Sequence, residues 1–310
     1  MIEIFYKTIP FFALIGLGYS AAITRFFSAE ATAYLTKFVF YFALSAMLFR
    51  FSSDLSLSEL YDPEFIYAYL SASLIIYFLA TAVAIFRKKV PSEAAVEAQC
   101  SVIGNVGFLG IPMLAILMGP KSVGFIMIIL AIDLIIFGSL IVLIIVASKD
   151  KKLDVFLFYR VLLGLTKNPM IVSIICGLLW SASGWSIPEP INDFVIMLGS
   201  AATPGALFAI GASLAQKSTE RFEVAAWLSF CKLVLHPLAV CIAVFFIFEV
   251  EIYAATVMIA AASLPVAGNI FMVAHHYNVA PKRASAAIFL STVLSVFTVS
   301  FTIAWVSNLN

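Results

Sequence analysis

The nine residues from Gly104 to Pro112, Gly-Asn-Val-Gly-Phe-Leu-Gly-Ile-Pro, interrupt a long apolar stretch that runs from about Ala94 to Met118. The stretch otherwise has the composition of a helix that crosses a membrane. Proline removes a backbone donor and clashes with the preceding helical turn, and glycine loosens a helix further. In hydrocarbon a freed backbone group is costly unless protein or a water-filled cavity supplies a partner. We therefore expect a helix break here, held by neighbouring segments around a cavity.

A second interrupted stretch, Pro265-Val-Ala-Gly-Asn269, lies at the corresponding place in the other half of the chain. Two broken membrane helices in matching positions are the best sequence indication of a transporter's substrate site. The two breaks therefore predict a transporter whose substrate binds where the two segments meet.

The composition is that of a membrane protein. Of 310 residues, 63% are hydrophobic and 11% are charged, whereas a soluble domain has about 25% charged residues. The mean hydropathy is +1.09, and the net charge of +1 gives no reason to expect a nucleic-acid partner. The four cysteines match no metal-ligand spacing. We interpret them as small packing residues, and we expect neither a metal nor a cofactor.

Segments of about 20 apolar residues are long enough to cross the hydrocarbon core. The sequence contains ten, at about 4–24, 33–51, 65–86, 95–118, 122–147, 168–184, 191–215, 223–247, 251–276 and 284–306. A polar connection from Ser148 to Lys167 divides them into five and five. The predicted fold class is therefore an all-α polytopic membrane protein with two repeats, residues 1–150 and 151–310. Because each half has an odd number of spans, equivalent helices run in opposite directions, as in the inverted repeats of secondary transporters.

The distribution of Lys and Arg between the loops predicts the orientation in the membrane. With the N-terminus outside, 13 basic residues fall in inner loops: Arg25, Arg87, Lys88, Lys89, Lys149, Lys151, Lys152, Arg160, Lys167, Lys217, Arg221, Lys282 and Arg283. The outer loops hold Lys7, Arg50 and Lys121, and the loop after the second span is acidic, with Asp54, Glu59, Asp62 and Glu64. We expect a multi-pass protein of the cell (inner) membrane, in contact with lipid, with both termini outside.

Asn105 and Asn269 are the first candidates for substrate contact. Each has a purely structural explanation, because asparagines commonly bridge membrane helices. Each, however, stands beside a break near the middle of its span, where the N-terminal end of a half-helix carries partial positive charge. An amide offers both a donor and an acceptor and can hold a carboxylate. The joint pattern favours an anion site made of Gly104, Asn105, Pro112, Pro265, Gly268 and Asn269.

Three ionisable residues, Asp133, Lys232 and His236, lie well inside predicted spans. A charge at the bilayer centre costs about 2.5–3.5 kcal/mol on insertion scales, so such residues face protein or water. Lys232 and His236 are four apart and share a helix face. Either Lys232 reaches an interface and His236 is a satisfied core residue, or the three form a proton-responsive group that couples or supports transport.

Enzyme motifs are absent from the sequence. It has no Walker loop, no His-Glu-x-x-His, no Gly-x-Ser-x-Gly and no polar cluster that resembles paired catalytic carboxylates. These absences argue against an enzyme and against a pump driven by its own nucleotide site.

Four motifs follow one another along the chain. They are Asn105-Val-Gly-Phe-Leu-Gly-Ile-Pro112, Ala206-Leu-Phe-Ala-Ile-Gly-Ala-Ser-Leu-Ala215, Lys232-Leu-Val-Leu-His-Pro237, and Leu264-Pro-Val-Ala-Gly-Asn269 followed by Ala274-His-His-Tyr277. Together they resemble the auxin efflux carrier family, the PIN-like membrane transport proteins, in the family's order and over nearly the whole chain. The short central loop is similar to that of the prokaryotic branch.

The resemblance implies a fold related to the bile acid symporters: two inverted five-helix repeats, with spans four and nine broken and crossing at their prolines. Spans one, two, six and seven would form a scaffold and the contact surface of a homodimer. Spans three to five and eight to ten would form a transport domain that moves in elevator-type alternating access. The implied substrate, bound at the crossover, is a small organic anion such as auxin, malate or malonate.

One departure from the family concerns the coupling ion. Plant members have an acidic residue in the third helix, whereas the segment from Phe65 to Phe86 contains none. Proton, sodium and no coupling ion therefore stay open. Three alternatives to this function also stay open: a sodium-coupled organic anion symporter of the bile-acid type, a channel-like pore, which would conduct without saturating, and a non-transporting receptor, which would need a signalling domain.

Overall fold

The computed structural model describes residues 2–54, 62–150, 163, 166–215 and 222–309, with the backbone alone for residues 2–5, 7, 149 and 150. Six charged residues that entered the orientation argument lie outside these ranges: Glu59, Lys151, Lys152, Arg160, Lys217 and Arg221. The predicted boundary between the two halves of the chain also falls outside them.

Helices account for the described part of the chain. In order they are α1 (Ile2–Ile23), α2 (Ala29–Ser53), α3 (Pro63–Phe86), α4 (Pro91–Val102), α5 (Val106–Met118), α6 (Ser122–Ser148), α7 (Pro169–Ser183), α8 (Glu189–Leu214), α9 (Phe222–Ile247), α10 (Ile252–Ala262), α11 (Asn269–His276) and α12 (Pro281–Val306). Apart from one isolated bridge, the described residues form no β-structure. The predicted all-α class is confirmed.

Six of the described helices, α2, α3, α6, α8, α9 and α12, are long and apolar enough to cross a membrane. Four shorter apolar helices are Thr8–Ile23, Val106–Met118, Pro169–Ser183 and Ile252–Ala262. These lengths agree with an integral, multi-pass membrane protein. The count of ten crossings and the inverted repeat stay predictions.

A polar residue followed by proline begins two of the helices. Asp62 Oδ1 accepts a hydrogen bond from Phe65 N (3.1 Å) at the start of α3. Asn168 Oδ1 accepts one from Met170 N (3.0 Å) at the start of α7. Proline in the first turn costs no hydrogen bond, because the N–H groups there have no partner within the helix. Local sequence alone therefore determines where these helices begin.

Several of the long helices contain wide π-helical turns of five residues. Three of these turns contain or adjoin predicted site residues; they are Val106–Gly110, Asp133–Phe137 and Cys231–Leu235. Such turns are rare in proteins and are frequent at functional sites. Their positions point to the same part of the molecule as the sequence motifs do.

Helices α1, α2, α7 and α8 pack on one another and are termed the four-helix group. Glycine makes the closest of these contacts. A Cβ atom on Gly18 of α1 would lie 2.0 Å from the carbonyl oxygen of Phe208 in α8, and one on Gly211 would lie 1.9 Å from that of Ile15. Small residues allow membrane helices to approach in this way. Helices α1 and α8 are therefore held backbone against backbone.

The remaining helices, α3 to α6 and α9 to α12, pack together and are termed the eight-helix group. Its core contains every carboxyl, amine and imidazole side chain that is buried among the described residues: Glu97, Asp133, Lys232 and His236. The two groups meet mainly where α1 contacts α12 and where α8 contacts the first turn of α5. The predicted site residues belong to the eight-helix group.

Candidate functional site

The two interrupted segments meet at their breaks. Asn105 N donates a hydrogen bond to Pro265 O (2.8 Å), and Ala267 N donates one to Ile103 O (3.0 Å). The backbones between these bonds run antiparallel as an isolated bridge. Each break thus supplies partners for backbone groups that the other has lost, as an interruption within hydrocarbon requires.

The first break is short, and a glycine stands in the helical turn that follows it. Ile103 has an extended backbone (ψ 115°) and Asn105 is also non-helical (ψ 54°). The Asn105 carbonyl then accepts hydrogen bonds from Leu109 N (3.1 Å) and Gly110 N (3.0 Å), which restart the helix. A Cβ atom on Gly110 would lie 2.7 Å from Leu264 Cδ1. The Leu264 side chain of the second break thus packs directly against the backbone that follows the first, and a larger residue at 110 would have to displace it.

The second break extends over residues 263–268, between α10 and α11. Within it, Val266 N donates a hydrogen bond to Ser291 Oγ (3.1 Å) of α12. Helix α11 begins at Asn269, so this side chain stands at a helix N-terminus. The second break is therefore held both by the first break and by the last helix.

A cavity of about 330 Å³ opens beside the paired breaks. Sites for small molecules begin at roughly 300 Å³, so this volume suits a small ligand. Five of the predicted site residues line it: Gly104, Asn105, Asp133, Gly268 and Asn269. The four-helix group contributes the side chains of Phe40 and Met170, and Asn168 lies at its edge. The cavity is therefore shared between the two groups.

The other four predicted site residues are buried outside the cavity wall. They are Pro112, Pro265, Lys232 and His236, and none of them is among the lining residues. Pro112 lies within α5, directly after the wide turn Val106–Gly110 and beyond the break itself. Pro265 contributes its backbone carbonyl to the contact between the breaks. Only the second proline therefore takes part in the crossing, while the asparagines line its cavity.

Asn105 and Asn269 line one cavity but differ in their surroundings. Asn105 is 6% exposed and its backbone joins the two breaks. Asn269 is more exposed as a residue, but its Oδ1 atom is buried and has no hydrogen-bond partner among the described residues. A buried polar atom without a partner is costly, so the amide oxygen of Asn269, an acceptor, is open to a hydrogen-bond donor.

Asp133 lies in the cavity wall, and a tyrosine from another helix holds it. The Tyr69 hydroxyl of α3 donates a hydrogen bond to Asp133 Oδ1 (2.9 Å). The second oxygen, Oδ2, is buried without a hydrogen-bond partner among the described residues. Asp133 is the only acidic or basic side chain among the described residues that line the cavity. Its second oxygen is therefore free to take up a proton or to bond to another group.

Lys232 and His236 lie behind the first break and contact each other. Lys232 Nζ is 3.2 Å from His236 Nδ1, and His236 Nε2 is 3.0 Å from Ser73 Oγ of α3. The His236 ring also meets the ring of Tyr69 edge-on, with 5.8 Å between centroids. Tyr69 therefore contacts both Asp133 and His236, a connecting role that the sequence did not indicate.

Asp133 and Lys232 do not form a direct ion pair, although each lies in the other's electrostatic field. The ammonium group instead donates to the carbonyl oxygen of Ala262, and the carboxyl group accepts from Tyr69. The three predicted ionisable residues thus form one buried cluster. Backbone, imidazole and hydroxyl groups make its direct contacts.

A second polar cluster was missed in the sequence. Glu97 of α4 has a fully buried side chain, which forms ion pairs with Arg87 and with Arg283 Nη1 (3.1 Å). Arg283 also contacts Glu93 at 2.9 Å. Both arginines had been counted only as loop charges. The spacing of Glu93 and Glu97, four residues apart on one helix face, was the available signal. The cluster ties the ends of α3, α4 and α12 together.

No group of three or more His, Cys, Asp or Glu side chains within the described ranges could hold a metal ion. Three of the four cysteines, Cys100, Cys231 and Cys241, are buried or half-buried, in agreement with a packing role. Cys176 is exposed on α7, so the packing interpretation does not apply to it.

Comparisons with known proteins agree with this geometry. The sequence profile of a family described as "Membrane transport protein" matches residues 3–303. A protein of Rhizobium meliloti (strain 1021) named "Putative malonate transporter" is 29% identical over 303 residues, which are 97% of this chain and 95% of that protein. Both similarities extend over nearly the full length, and both point to a transporter and not to an enzyme.

Proposed function

Because the chain belongs to the membrane transport protein family, the auxin efflux carriers, we propose that it is a secondary transporter of small organic anions, mono- or dicarboxylates. The observation that carries this proposal is the cavity at which two broken segments meet and which both Asn105 and Asn269 line. The name of the relative from Rhizobium meliloti makes malonate the first substrate to test.

The chemistry of the cavity supports an anion. Asn269 is the first residue of α11, and Asn105 directly precedes the wide turn Val106–Gly110 with which α5 begins. The N-terminal end of a helix carries partial positive charge, and transporters with broken helices direct it at anionic groups of the substrate. The two amides add donors without a permanent charge. Together, the two helix N-termini and the two amide side chains suit a carboxylate of a few carbon atoms.

Asp133 is the proposed coupling group, with a proton as the coupling ion. An anion in the cavity would be repelled by an ionised carboxyl group in its wall, so binding favours protonated Asp133. The protonated carboxyl would use its free oxygen as a donor toward the substrate. Lys232 and His236 support this arrangement from behind the break. The transporter would then move one proton with each substrate anion.

The two helix groups are the proposed moving parts. Under this proposal the four-helix group is the scaffold and carries the homodimer contact, and the eight-helix group is the transport domain. The close glycine contacts within the first group and the polar core of the second support this division. The chain would cross the membrane ten times as two inverted repeats, residues 1–150 and 151–310, and would carry substrate by elevator motion across the crossing of the breaks.

The proposed orientation places both termini outside the cell membrane. Single cysteines in place of Asn310 and Lys151, in a background without native cysteines, should be labelled from opposite sides by a reagent that does not cross the membrane. Labelling of both from the same side would contradict the orientation and the inverted repeat together.

Uptake by purified protein in liposomes tests the transport proposal. We expect saturable uptake of labelled malonate that an inward proton gradient stimulates, with protein-free liposomes as the control. Stimulation by a sodium gradient would instead indicate a symporter of the bile-acid type, and flux that does not saturate would indicate a channel. Absence of flux for mono- and dicarboxylates in every gradient would overturn the proposal.

A further inference from the structure

Lys232 is the only lysine or arginine among the described residues whose side chain is buried. It is fully buried and extends from the wide turn Cys231–Leu235 of α9 toward the crossing of the two breaks. An amine in such a place persists only when polar partners surround it. The partners of the Lys232 amine therefore indicate its role in the protein.

The first partner is the carbonyl group at the end of α10. The last four carbonyl groups of a helix have no partner within the helix. Near the end of α10, Ser263 N reaches the carbonyls of Ile259 and Ala260, and Leu264 N reaches that of Ala261. The final carbonyl, that of Ala262, accepts its hydrogen bond from Lys232 Nζ. The lysine thus caps the negative end of a half-helix in the middle of the protein.

The second contact is with the first break itself. A Cβ atom on Gly104 would lie 3.3 Å from Lys232 Nζ and 3.4 Å from the carbonyl oxygen of Ala261. The ammonium group therefore lies beside the backbone of one break while it is bonded to the helix end that precedes the other. A side chain at position 104 would require the end of the lysine to shift by a few tenths of an ångström.

The third partner is His236. A protonated amine can only donate, so Nδ1 of His236 accepts the hydrogen bond from Lys232 Nζ at 3.2 Å. The ring hydrogen is then on Nε2, which donates to Ser73 Oγ. The other titratable groups that face the cluster are Asp133 from α6 and Tyr69 from α3, and these two bond to each other.

From these contacts we propose that the ammonium group of Lys232 is a resident cation of the crossing, in the position where a coupling alkali ion would otherwise bind. Carbonyl groups at the C-terminal end of a half-helix are the ligands that sodium takes in transporters with broken helices. Here the carbonyl group of Ala262, at the end of α10, accepts a hydrogen bond from the ammonium group of Lys232, which is part of the chain. This inference rests on the proposed transport at the crossing.

Two consequences follow. Transport in the unaltered protein requires neither sodium nor potassium, because the amine is attached to the chain and moves with α9. Removal of the lysine side chain leaves a space beside an unpartnered carbonyl and an imidazole nitrogen, and a small cation from solution can enter it. A small ammonium ion from solution, which donates hydrogen bonds as the lysine does, should replace the lost side chain best.

The first arm of the experiment uses the unaltered protein in liposomes. Uptake of labelled malonate should differ by less than about twofold when choline replaces sodium and potassium, a difference below 1 kcal/mol by the tenfold per 1.4 kcal/mol relation. The melting temperature in detergent should not rise with sodium chloride relative to choline chloride. A saturable rise of either quantity with sodium would overturn the inference, because a separate ion site would then exist.

The second arm compares Lys232→Ala with Lys232→Met, which removes the charge but fills much of the space. In choline medium both variants should lose about tenfold or more of the uptake rate, as expected when a buried polar group loses its partner. Methylammonium should restore at least part of the uptake, and raise the melting temperature, in Lys232→Ala alone. Full activity of Lys232→Ala in choline, or no response of folded Lys232→Ala to methylammonium, ammonium or sodium, would overturn the inference.

The two proposals fail in different ways. If the unaltered protein carries no carboxylate in any medium, the transport proposal fails, while the melting of Lys232→Ala with and without methylammonium still tests the resident cation. If Lys232→Ala does not fold, the sodium measurements on the unaltered protein decide. Malonate uptake that is normal but requires sodium would refute the resident cation and leave the transport proposal standing.

Discussion

The helices of the four-helix group and those of the eight-helix group pack against one another by different means. In the first, close backbone contact at glycine dominates: a Cβ atom on Gly177 of α7 would lie 2.6 Å from the carbonyl oxygen of Phe49 in α2. Its buried polar side chains, as far as the structure describes them, are the hydroxyls of Thr8, Thr32 and Ser52. The second group encloses carboxyl, amine and imidazole groups and two interrupted segments.

The difference in packing suits the two groups to different roles. Glycine contacts between backbones have one arrangement and no charge that could change, so they suit a part that stays fixed. A buried cluster such as Tyr69, Asp133, Lys232 and His236 can change its proton or its partners, and each change alters the energy strongly because the surroundings are apolar. We therefore expect substitutions in the first group to alter stability, and substitutions in the second to alter binding and coupling.

The largest effect is expected at Gly18. A Cβ atom there would lie 2.0 Å from Phe208 O, so Gly18→Ala forces α1 away from α8. Overpacking costs about 1–3 kcal/mol and sometimes more, and contact with a backbone atom places this variant at the upper end. The measurement is the melting temperature in detergent. Gly16→Ala is the control, because nothing lies within 4 Å of its added Cβ atom. Equal melting of the two variants would remove the basis for a rigid four-helix group.

A smaller effect on stability but a clear one on affinity is expected for the cavity asparagines. Asn105→Ala and Asn269→Ala should weaken malonate binding by about 1–3 kcal/mol, the cost of an unmet buried polar partner, and should leave folding intact. The measurement is the dissociation constant from calorimetry. Asn308→Ala, at the end of α12 and outside the cavity lining, should bind as the unaltered protein does. Unchanged affinity in both cavity variants would show that the asparagines are structural.

The next effect concerns pH and Asp133. If the protonated carboxyl is the form that binds substrate, affinity should fall as pH rises, by up to about 1.4 kcal/mol per pH unit for one linked proton. Asp133→Asn carries a fixed amide in place of the protonated acid, so its affinity should be nearly independent of pH. Asp193→Asn, a matched change at an exposed position of α8, should keep the pH dependence. A parallel pH profile in Asp133→Asn would exclude Asp133 as the coupling group.

The smallest effect tests the contact between the two groups. Thr8 Oγ1 of α1 and Ser300 Oγ of α12 are 2.9 Å apart and buried. Thr8→Val should cost about 0.6 kcal/mol of stability, the average for such bonds between membrane helices, while the rate of transport rises if the groups slide past each other. Thr24→Val is the control, because Thr24 bonds only within the exposed end of its own helical region. A slower transport rate in Thr8→Val would argue against sliding at this surface.

The breaks show how far sequence reasoning reaches. Proline and glycine within an apolar stretch predict an interruption by backbone chemistry alone, and both interruptions are present, at residues 103–105 and 263–268. The first is shorter than predicted, because Gly107, Gly110 and Pro112 lie within α5. The pairing of Asn105 N with Pro265 O joins residues 160 positions apart. No local pattern encodes the hydrogen bonds of such a contact; the matching positions of the two breaks and the resemblance to a family indicated only that the segments meet.

The ionisable residues show where local reasoning stops. The place of Asp133, Lys232 and His236 inside apolar segments predicted that they face protein or water, but left open whether Lys232 reaches an interface and did not identify their partners. The third span contains no acid, and it contributes Tyr69 and Ser73 to the cluster instead. Glu97 was passed over because its arginine partners lie at the ends of two other helices.

The sequence by itself determined the membrane class, the helical segments, their two interruptions and the set of residues that can carry charge or bind an anion. These depend on composition, on the length of apolar runs and on the backbone limits of glycine and proline, which act within a few residues. Only the tertiary structure decided that both asparagines face one cavity, that Asp133 bonds to Tyr69, and that Lys232 caps α10. Those contacts join helices far apart in the chain, and each arises because a buried polar group must find a partner wherever the packing of other helices places one.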